Sequence, residues 1–179
     1  MSLKRWDEIN KRFKKDQKLN MAEVGVDTGK TSARILRHYP KLILYMIDTW
    51  APCPVDSSYH NSGSEGGKRG KEYYDKAYKK CRIISSEYNN RGILIRLDSV
   101  KAAEKFTDGF FDLVFIDADH SYLGCKRDIL AYKSKVKKGG WLGGHDYDHP
   151  DQGEVKRAVD EIFGDKIILG ENRTWWVKI

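Results

Sequence analysis

Five short apolar runs in this chain each lead into an acidic side chain. Met21 to Val26 leads into Asp27, Leu42 to Ile47 into Asp48, and Ile93 to Leu97 into Asp98. Phe111 to Ile116 leads into Asp117, and Trp141 to Gly144 into the pair His145 and Asp146. Runs of this length, bounded by turn formers and free of period-two alternation, read as strands buried on both faces. Helical patterns separate them: Thr31 to His38 (started by Thr28 or a neighbour, stopped by Pro40), Lys71 to Tyr88, Val100 to Phe106, Tyr122 to Val136 (closed by Lys137, Lys138 and Gly139) and Glu154 to Phe163. Alternation of strand and helix predicts an α/β fold, a mostly parallel sheet with helices on both faces. Ile167 to Leu169 and Thr174 to Ile179 read as two closing strands with no helix between them, so one of them must run antiparallel to the rest.

The remaining chain sets the limits. Its 179 residues, 40% hydrophobic and 33% charged, suit a single domain over residues 1–179 with one core. An N-terminal helix is expected over residues 1–18, a Lys-dense stretch without the apolar centre of a signal peptide. Cys53, Cys81 and Cys125 lack metal-type spacing, and an odd count predicts reduced thiols in a cytoplasmic protein. No apolar run approaches the ~18 residues of a membrane span. The net charge of +7 admits nucleic acid or an acidic substrate as partner. The basic residues are spread over the chain, however, without interleaved aromatics, which also describes a solvated surface. Residues 51–70 are rich in Pro, Ser and Gly. A loop of that length in a compact domain is commonly functional, and a mobile lid is the expectation here.

In open sheets of this type, ligands bind outside the carboxyl ends of the strands, so the acidic strand ends are the informative residues. Each taken singly also suits a helix cap. The first turn, Glu23-Val-Gly-Val-Asp-Thr-Gly29, has Asp27 and Lys30 where a dinucleotide fingerprint would carry its second and third glycines. An anion at Asp27 would repel a pyrophosphate and suit a ligand with an ammonium and a sulfonium. Asp48 lies about twenty residues beyond Gly29, where an acidic residue hydrogen-bonds ribose hydroxyls. Asp98 and Ser99 can read an adenine edge or cap the following helix.

These segments, with Tyr45-Met-Ile-Asp-Thr-Trp50, Phe115-Ile-Asp-Ala-Asp-His-Ser-Tyr122 and Gly139-Gly-Trp-Leu-Gly-Gly-His-Asp-Tyr147, resemble the class I S-adenosylmethionine-dependent methyltransferases. Within that class they are most similar to the catechol and macrocin O-methyltransferase group, which includes cephalosporin-hydroxylase-like proteins. The resemblance implies a Rossmann-like, doubly wound sheet of seven strands with the last antiparallel. It places Glu23, Gly25, Asp27, Gly29, Asp48, Thr49, Trp50, Asp98, Ser99 and Asp117 around S-adenosylmethionine, with Trp50 as an aromatic wall. It implies a divalent metal, Mg, Mn or another, on Asp117, His145 and Asp146, although His145 replaces a carboxylate of the relatives and a metal-free site remains open. His120, with Asp117, matches the catalytic base of the sugar O-methyltransferases. The implied function is O-methylation of a small-molecule hydroxyl. The alternatives are a nucleic-acid methyltransferase, which lacks its Asn/Asp-Pro-Pro-Tyr/Phe motif here, and a non-catalytic or hydroxylase-like relative. The short chain leaves little room for a substrate cap, which points to a homo-oligomer sharing its pocket.

Overall fold

A computed structural model describes residues 5–53, 68–149 and 154–179. Seven strands form one sheet: β1 (Leu19–Val24), β2 (Leu42–Asp48), β3 (Gly92–Arg96), β4 (Phe111–Ile116), β5 (Val136–Gly144), β6 (Ile168–Leu169) and β7 (Trp175–Lys178). Their order is β3-β2-β1-β4-β5-β7-β6. β1 to β5 pair in parallel, while β7 runs antiparallel between β5 and β6. β1 and β4 lie at the centre and are buried almost throughout, which is why they read as continuous apolar runs. The strand order reverses between β1 and β4, and that switch point is where a ligand crevice opens in such sheets.

Among the described residues six helices cover the sheet, three on each face. α1 (Arg5–Asn10), α2 (Lys30–His38) and α3 (Lys71–Glu87) bury Ile9, Ile35, Leu36, Tyr74, Ala77 and Cys81 in one layer. α4 (Ser99–Ala103), α5 (Tyr122–Lys133) and α6 (Glu154–Phe163) bury Ala102, Ala103, Ile129, Tyr132, Val155 and Val159 in the other. α3 is polar overall, yet Tyr74, Ala77 and Cys81 fall on one buried stripe, and Tyr73, Tyr78 and Ile84 pack beside it. α2 stops at Tyr39, whose extended backbone suits a residue before proline. No helix among the described residues is long and apolar enough to cross a membrane.

Two local expectations are corrected. The helix expected over residues 1–18 is limited, among the described residues, to Arg5–Asn10. Beyond it Arg12 lays its guanidinium over the Trp176 ring at 3.7 Å, pinning the segment to the sheet. α2 begins at Lys30 behind an N-cap at Gly29, the neighbour of Thr28, with φ +73 and no side-chain cap. The helix expected to run to Val136 ends at Lys133, and Val136 to Gly139 open β5. The Gly139 N–H donates to the Ile179 carbonyl at 2.6 Å and the Ile179 N–H to Gly140 at 3.1 Å, so β7 draws the segment into the sheet.

Candidate active site

The loop after β1 is shaped by contacts within the protein. Gly25 sits at φ +86, and a Cβ there would overlap the Asp117 carbonyl and lie 2.7 Å from the Ala118 Cα. The loops after β1 and β4 are thus in backbone contact, and only glycine permits it. Gly29 instead meets side chains of α3, with Ile84 Cδ1 2.7 Å and Cys81 Sγ 3.1 Å from the position of a Cβ. Between them Asp27 adopts φ +53, as Trp50 adopts φ +41 and Asp146 φ +59. Three non-glycine residues in left-handed backbone around one site mark turns that the surrounding fold enforces.

Asp48 ties two of these turns together. Its Oδ2 accepts the N–H groups of Val26 and Asp27, both at 2.9 Å, and its Oδ1 accepts the Trp50 N–H at 2.8 Å. Burial raises its pKa while these three hydrogen bonds lower it, and burial prevails. A carboxylate offers about four acceptor positions, so Asp48 keeps about one for a ligand. Trp50 is fully buried; its indole N–H donates to the Asp27 carbonyl at 2.9 Å and its ring lies 5.0 Å from that of Tyr78. Asp27 Oδ1 accepts from the Tyr73 hydroxyl at 2.6 Å and from Arg69 at 3.2 Å. The Tyr73 phenol is pushed up to about 12, by burial first and by Asp27 second.

A cavity of about 350 Å³ opens over the carboxyl ends of β1 to β4, within the ~300–1,000 Å³ usual for small-molecule sites. Gly25, Asp27, Asp48, Thr49, Asp98, Ser99 and Asp117 line it. Glu23, Gly29 and Trp50, expected beside them, do not. Glu23 is buried and accepts from the Ser32 hydroxyl; Gly29 faces α3; Trp50 is a core residue under the loop. Of the expected lid, residues 54–67 lie outside the described residues, while Ala51, Pro52, Cys53 and Arg69 at its two ends line the cavity. Asp98 is a helix cap: its Oδ1 accepts the N–H groups of Val100 at 3.1 Å and Lys101 at 3.4 Å. Ser99 turns the other way and donates its hydroxyl to Asp128 Oδ1 at 2.5 Å. Asp128, which sequence reasoning missed, also lines the cavity. Its signal was a carboxylate on the core stripe Cys125, Ile129 and Tyr132 of α5.

At the ends of β4 and β5 the polar groups converge. Asp117, His120 and Asp146 bring one donor atom each within 4.8 Å of one another. His120 Nε2 stands 3.4 Å from Asp117 Oδ1 and 3.4 Å from Asp146 Oδ2. All three side chains are largely buried, at 12 to 16% exposure. The expected set was Asp117, His145 and Asp146. His145 instead holds its Nδ1 2.8 Å from Asp146 Oδ1 and 3.7 Å from Asp117 Oδ1, beside the cluster, and the imidazole between the carboxylates is that of His120. Two carboxylates flanking an imidazole can hold it for proton transfer or share a cation with it.

A methyltransferase domain family matches residues 22–147, which includes the cavity loops and the cluster. A search of curated proteins by sequence finds no match. Among solved structures, the calicheamicin methyltransferase CalS11 superposes with a TM-score of 0.69 at 16% identity, covering 97% of this chain and 76% of that one. The O-methyltransferase NovP superposes with a TM-score of 0.67 at 16% identity, covering 97% and 78%. An S-adenosylmethionine-dependent O-methyltransferase of Thermotoga maritima gives 0.59 at 14% identity, covering 93% and 52%. With the family match over most of its length and the seven-stranded sheet ending in an antiparallel β7, this chain belongs to the methyltransferase domain family and is a class I S-adenosylmethionine-dependent methyltransferase.

Proposed function

We propose that the chain methylates a hydroxyl of a small molecule, with His120 as the base that takes the hydroxyl proton. The observation that carries this reading is the placement of His120 Nε2 3.4 Å from Asp146 and 3.4 Å from Asp117, which lines the cavity at the end of β4. Bound S-adenosylmethionine supplies a methyl group already activated on a sulfonium. The protein therefore has two tasks, to align the acceptor and to make its oxygen nucleophilic. The two carboxylates orient His120 and stabilise the imidazolium that forms when it accepts the proton. Under this assignment Gly25 and Asp27 would hold the amino-acid end of the cofactor, Asp48 beside Thr49 would hold the ribose with its remaining acceptor position, and Asp98 and Ser99 would hold the adenine. The relatives agree in kind: CalS11 is a TDP-rhamnose 3'-O-methyltransferase and NovP an O-methyltransferase.

A second reading rests on the same cluster. The three donors within 4.8 Å also fit a divalent cation, and a set of one imidazole and two carboxylates suits Mn, Fe, Ni or Zn as well as Mg. A metal there would supply Lewis acidity to the hydroxyl. An imidazole that binds a metal through Nε2 has no site left there for a proton, so the two readings exclude each other. Turnover on a panel of sugar and phenolic hydroxyls, before and after chelation, separates them. Activity that survives chelation and falls with His120→Ala supports the base. Activity that disappears on chelation and returns with Mn²⁺ assigns the cluster to a metal. No methylation of any hydroxyl by a protein that binds S-adenosylhomocysteine removes the O-methylation reading.

A further inference from the structure

The core stripe of α5 carries one charged side chain. Asp128 has no exposed surface and is packed among Cys125, Ile129 and Tyr132. A carboxylate in that position is costly unless its oxygens are engaged. Ser99 donates to Oδ1 at 2.5 Å, and the half-exposed Arg127 guanidinium stands 3.5 Å from the same oxygen. Among the described residues Oδ2 has no hydrogen-bond partner. Asp128 nonetheless lines the cavity, beside Ser99 and Asp98. The neighbouring Asp98 is already committed, with Oδ1 on the α4 N-terminus and Oδ2 3.7 Å from Arg127.

We propose that Asp128 accepts, through Oδ2, the exocyclic amine of the cofactor's adenine, and so selects a 6-aminopurine over a 6-oxopurine. The proposal rests on the assignment of this end of the cavity to adenine. Burial pushes the Asp128 carboxyl up to about 6, which still leaves it mostly ionised at neutral pH, when a carboxylate is an acceptor only. A 6-amino group gives Oδ2 the donor it lacks. A 6-oxo group sets an acceptor against an acceptor and leaves the carboxylate buried and unpaired. Sites built to hydrogen-bond one group reject an analogue that cannot supply it. A role confined to the fold, in which Asp128 only clamps Ser99 and α4 to α5, would create no such preference.

The test is calorimetric binding of S-adenosylhomocysteine and of S-inosylhomocysteine, its 6-oxo analogue, at neutral pH. The wild type is expected to favour the adenine compound by ~10²-fold, the scale of one hydrogen bond to a charged group. Asp128→Asn, which keeps the shape and offers an amide that can donate, is expected to bring the two affinities within ~5-fold by weakening the first and strengthening the second. Equal affinity of the wild type for both ligands overturns the proposal, whether or not the variant folds. So does a variant that is folded by thermal melting and weakens both ligands alike. Failure of the wild type to bind S-adenosylhomocysteine at all overturns the cavity assignment itself, and the proposal with it.

Discussion

The two ends of the cavity use acidic residues differently. At the carboxyl ends of β2 and β3, the oxygens of Asp48 and Asp98 are taken up largely by backbone N–H groups, five in all. At the ends of β4 and β5, the carboxylates of Asp117 and Asp146 face the imidazoles of His120 and His145. The first set builds the walls and offers the ligand what acceptor capacity remains. The second is arranged around groups that can gain or lose a proton. A carboxylate at a strand end is therefore not one kind of residue, and its partners show which work it does.

The contrast is broken most directly at His120. His120→Ala is expected to lower kcat by ~10²–10⁴-fold, the usual contribution of a positioned base, with S-adenosylhomocysteine affinity unchanged by calorimetry. Loss of binding would place His120 with the walls. Asp48→Ala is expected to act in the opposite way, stranding three backbone donors and lowering unfolding stability by about 4 kcal/mol in urea titration, at ~1–3 kcal/mol for each orphaned group. It should weaken S-adenosylhomocysteine binding as well.

Asp128 sharpens the contrast through pH. Its carboxyl titrates near 6 in the folded chain against 3.8 as the ordinary value. The folded state thus holds this proton more tightly than the unfolded state. The stabilising effect of protonation is fully present below pH ~4 and is lost as pH rises through ~6. Without ligand, Asp128→Asn should be more stable than the wild type by up to about 3 kcal/mol at pH 7, since a tenfold difference in proton affinity between the two states is worth ~1.4 kcal/mol. That difference should vanish near pH 4 in denaturation curves. The smallest effect is expected from Trp50→Phe, which removes the hydrogen bond to the Asp27 carbonyl and part of a fully buried ring and should cost about 2 kcal/mol. A large loss of cofactor affinity with little change in stability would return Trp50 to the ligand.

Much of the sheet was legible because a strand buried on both faces must be apolar throughout, as β1 and β4 are. The start of β5 was hidden because Lys137-Lys138-Gly139 carries the chemistry of a helix end, and only its pairing with the far terminus makes it strand. In the site, sequence position located Asp48 and Asp98 at the cavity but not the destination of each oxygen, since that depends on turns such as the left-handed one at Trp50. Trp50 has the composition of a ligand wall and the burial of a core residue. Likewise, spacing alone did not distinguish His120 from His145. The loop after β4 carries His120 back between the carboxylates, while His145 sits at the end of its strand, beside them. Asp128 was missed because a carboxylate in a helix is ordinarily on the solvent side, and its inward orientation is a property of packing.

The contact between Gly25 and the Asp117 carbonyl bears on how methyl donor and acceptor are brought into line. Under the proposed assignment one loop beds the donor and the other carries a residue of the reacting cluster, and their main chains touch without an intervening side chain. The distance between the two reactants is then largely a dimension of the scaffold, present before either arrives, so alignment does not have to be created by closure over the substrate. A methyl group inserted at that seam, as in Gly25→Ala, would act as a spacer. It would lengthen the transfer path while leaving every reacting group chemically intact.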